Sequence, residues 1–193
     1  MADYVQLDGV RTWYEEYGDG EPLVALHPGG AGVDSRAWAP NLGALSTHFH
    51  VYVPDRRGHG RTPDVEGPIT FDAMAQDTIA LLETVLGRQA HVVGCSDGAT
   101  VALLVALRRP ELISRLVLVA GVFHFDGWAS GVIDPDAEPP EFLERLYGEV
   151  SPDRSRALSG DRRQAVPDAN RRANPDRQRP TGGQEPDPGD GRR

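Results

Sequence analysis

The chain has 193 residues, a formal net charge of −9, one cysteine and no lysine. One cysteine excludes an internal disulfide framework, and the acidic balance excludes an electrostatic footprint for nucleic acid or an anionic membrane. No apolar run reaches the roughly 18 residues of a membrane-spanning helix, and Met1-Ala2-Asp3-Tyr4 lacks the charged-then-apolar layout of a secretory leader. The expectations are one domain of ordinary size, a cytoplasmic setting and a small-molecule partner, with oligomeric state open.

In chain order, residues 4–7 and 11–17 alternate in strand fashion about Asp8-Gly9, a turn dipeptide, and predict an antiparallel hairpin. Residues 22–27 form a short apolar run stopped by Pro28-Gly29-Gly30, which suits an interior parallel strand ending in a special loop. A helix is predicted over 35–45 and a strand over 50–53, the latter ending at Pro54-Asp55-Arg56-Arg57-Gly58-His59-Gly60. From Thr70, an N-cap, the residues Met74, Ile79, Leu81, Leu82 and Val85 share a helical face that Gly87 closes, and this spacing signals core packing. A strand over 90–93, a helix over 97–109 stopped by Pro110, and a strand over 116–119 complete the series. Repeated strand-loop-helix units define an α/β class with a mostly parallel sheet and flanking helices.

Composition changes near Ser151. Residues 151–193 hold ten Arg against seven acids, six Pro and no aromatic residue, for a net +3 against −12 in the body. A segment so poor in apolar side chains cannot offset its ordering entropy, and a disordered tail is expected there.

The chemistry concentrates at Gly94-Cys95-Ser96-Asp97-Gly98, between a buried strand and a helix. A hydroxyl nucleophile must project from the backbone, meet a base and sit beside donors for the oxyanion formed on attack. Glycines on both flanks make room for a tight turn, and helix onset after Ser96 leaves free backbone N–H groups at the reacting position. Ser96 is the candidate nucleophile and the Asp97 N–H one oxyanion donor. The second donor is placed on the loop after residue 27, with Gly29 first and Gly30 next; Gly30 and His27 are the candidate substrate contacts. Alone, this pattern is also that of an ordinary Ser-Gly turn.

Three ordered features outweigh the ordinary turn. His27-Pro28-Gly29-Gly30, then Pro54-Asp55-Arg56-Arg57-Gly58-His59-Gly60-Arg61-Thr62, then Val93-Gly94-Cys95-Ser96-Asp97-Gly98-Ala99 resemble, in order and spacing, the α/β-hydrolase superfamily over roughly residues 4–125. The resemblance implies hydrolysis of a small ester, amide or related bond through an acyl-enzyme at Ser96, with no metal or organic cofactor. The Ser-Asp-Gly elbow is similar to those of small-molecule esterases and carbon–carbon bond hydrolases. Asp97 is read as a helix N-terminal charge rather than the triad acid. His59, Asp55 and Arg56 are read as shaping their loop, and Cys95 as a buried small residue. Trp13, Trp38 and Trp128 are left to core or pocket.

The family order of triad residues is Ser, then acid, then His. After Ser96 there is one histidine, His124, directly behind the strand 116–119, where the resemblance implies the start of a lid. The expectation is therefore a chain with its nucleophile but without its base and acid, inactive and incomplete at the C-terminus. It divides into a core over 1–126, a lid segment over 127–150 and a tail over 151–193. Read one nucleotide late, the codons of residues 187–193 and their stop can encode Thr-Leu-Val-Met-Val-Gly-Asp, a strand ending in an acid that resembles the family's acid-bearing strand. The tail is accordingly expected to be out of frame. The competing expectation is a non-catalytic small-molecule-binding remnant of the fold.

Overall fold

The computed structural model describes residues 1–30, 32–66, 69–124, 127 and 141–151. The chain opens with β1 (Ala2–Leu7) and β2 (Val10–Tyr17), paired antiparallel with Leu7 opposite Val10. Asp8 and Gly9 both take positive φ, 43° and 81°, the two-residue turn whose twist matches that of the flanking strands. Four further strands follow: β3 (Glu21–Leu26), β4 (Phe49–Pro54), β5 (Ala90–Cys95) and β6 (Ile113–Val119). They assemble in the order β1-β2-β4-β3-β5-β6. The contacts of β3 with β4, β3 with β5 and β5 with β6 are parallel, while β2 meets β4 antiparallel. The result is a mixed sheet whose parallel strands end together near Leu26, Pro54, Cys95 and Val119.

The helix predicted over 35–45 is two pieces. Asp34 caps a 3₁₀ turn (Ser35–Trp38) by accepting the Arg36 N–H, and α1 (Ala39–Leu45) follows with Pro40 in its first turn. Pro40 has no N–H to return to the Arg36 carbonyl, and the Ala39 N–H takes that acceptor in a tighter loop. α2 (Phe71–Leu81) begins as expected at Thr70, whose side chain accepts the Ala73 N–H. It widens over Leu82–Leu86 and stops at Gly87, where φ is 62° and the N–H reaches back to Leu82. α3 (Asp97–Arg108) ends two residues before Pro110, and α4 (Glu141–Val150), for which the sequence predicted only the start of a lid, closes the described chain. Trp128, most of that lid segment and residues 152–193 lie outside the described residues.

Alternation along the strands separates two packed layers. Val24, Leu26, Tyr52, Ala90 and Val92 point to one face, where α2 and α3 supply Met74, Ile79, Leu81, Leu82, Val101, Ala102 and Val105. Leu23, Ala25, Val51 and Val53 point to the other, under Trp38, Leu42 and Leu45. β6 borders the sheet, and on this second face Val117 and Val119 remain 53% and 44% exposed.

Candidate active site

β5 delivers the chain to Ser96 and α3 carries it away. At the junction Ser96 adopts φ 51° and ψ −117°, a conformation that costs a non-glycine residue about 1–3 kcal/mol and persists only where its surroundings impose it. The Ser96 N–H donates to the Val119 carbonyl at 2.8 Å, tying the turn to the end of β6, and the Ser96 carbonyl accepts the Ala99 N–H at 2.9 Å. Both flanking glycines are sterically required. A Cβ on Gly94 would overlap the Gly98 carbonyl, and one on Gly98 would overlap the carbonyls of Leu26 and His27. The first turn of α3 thus lies directly against the end of β3, and its leading N–H groups have no acceptor within the helix.

The same approach brings the loop after β3 to the elbow. A Cβ on Gly29 would overlap the Asp97 carboxyl, so glycine at 29 makes room for a side chain of the protein itself. Gly30 takes φ 107°, a backbone state that side chains disfavour. Ser96, Asp97, Gly29 and Gly30 therefore share one end of the sheet. Asp97 is only 8% exposed; burial raises its carboxyl above the usual carboxylate range, and the charge of Arg56 works against that rise.

His27, also expected as a substrate contact, lies inside the protein. Its ring is wholly buried and serves as a partner of Arg56: the Arg56 backbone N–H donates to Nε2 at 3.2 Å, while Nδ1 lies 2.7 Å from the Pro28 carbonyl. Burial first, then the charges of Arg56 and His59, hold its pKa well below the ordinary value. The ring is neutral, and the hydrogen-bond pattern assigns its proton to Nδ1. Arg56 is itself 3% exposed, and burial lowers its pKa to about 10 against the opposing pull of Asp97.

The stretch after β4 is a scaffold, as the sequence suggested. The Asp55 carboxylate accepts the N–H groups of Ser35 and Arg61 at 2.9 and 2.8 Å; burial raises its pKa and these bonds oppose the rise. Arg57 forms a two-point ion pair with Asp77, at 2.6 Å for each bond, that fastens the loop to α2. His59 Nδ1 sits 2.9 Å from the Arg57 carbonyl. Cys95 is half-buried rather than buried. On the far side of the Gly-rich loop, a Cβ on Gly32 would overlap the Leu143 carbonyl of α4, and Arg36 joins Asp34 to Glu149 and to the Leu146 carbonyl at 2.8 Å. Neither the Arg36 clasp nor the Arg56–His27 contact left a signal in sequence, because each joins residues far apart in the chain. Among the described residues no group of His, Cys, Asp and Glu is arranged to hold a metal, and no helix is long and apolar enough to cross a membrane.

A mainly parallel sheet that presents a strained serine and a glycine-rich loop at the carboxyl ends of its strands belongs to the class of α/β proteins that gather their functional groups at that edge. The chain is a member of the alpha/beta hydrolase fold family, whose model matches residues 22–192. That match begins later than the sequence resemblance and runs across the composition change at residue 151. The chain is 34% identical over 128 residues to (E)-2-((N-methylformamido)methylene)succinate hydrolase of Acinetobacter baylyi, covering 64% of this chain and 46% of the relative. It is 33% identical over 118 residues to serine hydrolase BPHL of Mus musculus, covering 59% and 40%. Among solved structures, the meta-cleavage product hydrolase of Pseudomonas fluorescens superposes with a TM-score of 0.64 at 27% identity, covering 76% of this chain and 55% of that one. The chain spans less than half the length of these curated relatives.

Proposed function

We propose that this chain carries the nucleophile half of a serine hydrolase acting on an ester, amide or related bond of a small molecule. The observation that carries the reading is Ser96 itself, a non-glycine residue at φ 51° between β5 and α3, where a hydroxyl is thrust forward of the sheet. In a complete enzyme of this kind a histidine takes the Ser96 proton as Oγ attacks the substrate carbonyl, the backbone N–H groups of Asp97 and Gly29 receive the oxyanion, and the leaving group departs with that proton to give the acyl-enzyme, with Gly30 shaping the pocket wall. His27 has a positioning part, since its ring is wholly buried. The names of the relatives, a succinate-derivative hydrolase and a serine hydrolase, support a small-molecule substrate.

Beyond Ser96 these 193 residues contain one histidine, His124. A serine without its base keeps its proton, and losing a triad member lowers catalysis by several orders of magnitude. We therefore propose that the chain by itself turns over poorly and that the codons of the tail, residues 151–193, are read out of frame. A p-nitrophenyl ester assay and a fluorophosphonate probe test the first part, with Ser96→Ala as control. Slow labelling that disappears in Ser96→Ala, with little turnover, is the expected result. Rapid turnover that depends on Ser96 overturns the claim of low activity, and labelling that survives Ser96→Ala overturns the nucleophile. DNA sequencing of the locus tests the second part: an intact frame with no overlapping hydrolase frame downstream refutes it.

A further inference from the structure

We propose that Arg56 is a positioning residue for the oxyanion pocket, acting from inside the protein by donating to the Pro28 carbonyl and so polarising the Pro28–Gly29 peptide. The inference rests on the reading of the Gly29 N–H as an oxyanion donor. Arg56 Nη2 lies 3.0 Å from the Pro28 oxygen, and the protonated Nδ1 of His27 reaches the same oxygen at 2.7 Å. A carbonyl oxygen has two lone pairs, and both are taken here by donors, one of them cationic. Because the peptide is conjugated, density drawn toward that oxygen leaves the amide nitrogen more positive and makes the N–H of Gly29 a stronger donor.

A buried guanidinium is costly unless its charge is used or matched. Among the described residues no ion pair joins Arg56 to a carboxylate. Its remaining side-chain contacts are to neutral groups: Nε to His27 Nε2 at 3.4 Å, Nη1 to Met74 Sδ at 3.4 Å, and Nη2 at 3.2 Å from His27 Nδ1, whose own proton is directed at Pro28. The Asp97 carboxylate is an opposing charge that acts on it, and that carboxyl packs against Gly29. That carboxylate, if left alone, would set negative charge beside the place where negative charge must develop. The cation behind the loop opposes that field while strengthening the donor in front of it. His27 completes the device: its Nε2 takes the Arg56 backbone N–H, which keeps the proton on Nδ1 and directed at Pro28.

The test uses the full chain labelled with carbonyl-¹³C proline and ¹⁵N glycine. The sequence has two Pro-Gly steps, Pro28-Gly29 and Pro188-Gly189, so a carbonyl-to-amide correlation spectrum contains two signals and the second is an internal reference. In the unmutated chain the Pro28 carbonyl is expected downfield of Pro188, and a position at or upfield of it overturns the proposal without any variant. Arg56→Met is expected to move the Pro28 carbonyl and the Gly29 amide proton upfield, with Arg56→Lys restoring part of the shift. Phenylboronic acid, which forms a tetrahedral adduct with a serine hydroxyl, is expected to move the Gly29 amide proton downfield. Its affinity should fall about tenfold in Arg56→Met, short of the ~10²–10³-fold that deleting a whole oxyanion donor costs, and recover in part in Arg56→Lys. If the boronate moves Gly29 but Arg56→Met changes neither the Pro28 signal nor the affinity, polarisation by Arg56 is refuted while the oxyanion reading stands. If the boronate leaves Gly29 unmoved in the unmutated chain, the oxyanion reading fails and this inference with it.

Discussion

The two faces of the sheet are built from alternate residues of the same strands, yet they differ in what covers them. On one, α2 and α3 press Met74, Ile79, Leu82, Val101 and Val105 onto Val24, Leu26 and Val92, and Leu116 and Leu118 of β6 join the same layer. On the other, Trp38, Leu42 and Leu45 pack against Leu23, Ala25, Val51 and Val53, and Val93 of β5 joins the same layer, while Val117 and Val119 of the next strand stay exposed. Strand alternation makes both faces apolar, but only a covering helix turns an apolar face into a core. Stability is therefore expected to reside in the α2–α3 side, and association in the uncovered β6 side.

The largest test of that contrast lies where α3 meets β3. Gly98→Ala places a methyl into the carbonyls of Leu26 and His27, which are backbone and cannot step aside. It is expected to cost ~3 kcal/mol or more and to blunt the cooperative urea transition. A loss under ~1 kcal/mol would show that α3 does not pack this closely. Next, Leu82→Ala in the filled layer should lose about 2–5 kcal/mol in the same measurement. Leu42→Ala, which is only partly buried on the other face, should lose less than half as much. Equal losses would remove the contrast between the faces.

A pH experiment sharpens the comparison on the less covered side. Tyr17, packed against that layer, has its pKa pushed up to about 12 from 10.0 by burial first and then by its hydrogen bond to Glu15 at 2.5 Å. A folded pKa above the unfolded one contributes stability that is complete below the unfolded value and is lost as pH rises through the folded value. The melting temperature should therefore fall between about pH 10 and pH 12, and less steeply in Tyr17→Phe, as followed by circular dichroism. An identical fall in both proteins would show that Tyr17 does not contribute. Tyr14 and Tyr52, raised mainly by burial on the other face, give the remaining fall the same sign.

The smallest effect on stability is expected at the open edge. Val117→Lys should change unfolding free energy by less than ~0.5 kcal/mol, as for most exposed positions, while lowering self-association seen by light scattering, because a charge blunts an edge strand. Unchanged scattering would mean that β6 is not the sticky surface.

The hairpin was legible because Asp8-Gly9 is a purely local instruction, and Thr70 and Gly87 marked both ends of the α2 segment for the same reason. The split between Ser35 and Leu45 was also locally encoded, in Pro40, but the apolar run around it reads equally well as one helix. α4 also carried a local signal, Leu143, Leu146, Tyr147 and Val150 at helical spacing, which the expectation of a lid left unread. At the candidate site, the motif singled out Ser96, Gly29 and Asp97, but nothing local shows that glycine at 29 admits the Asp97 carboxyl, a neighbour 68 residues away in the chain.

By itself the sequence determined the order of strands and helices, the position of the elbow and the break in composition near Ser151, since each depends on residues within a turn or two of one another. The tertiary structure decided that His27 is an interior partner of Arg56 and that Arg56 is buried with no ion pair to a carboxylate among the described residues. It also decided that Val117 and Val119 stay about half exposed. Those properties depend on which segments lie side by side once the sheet has formed, and no run of neighbouring residues encodes them.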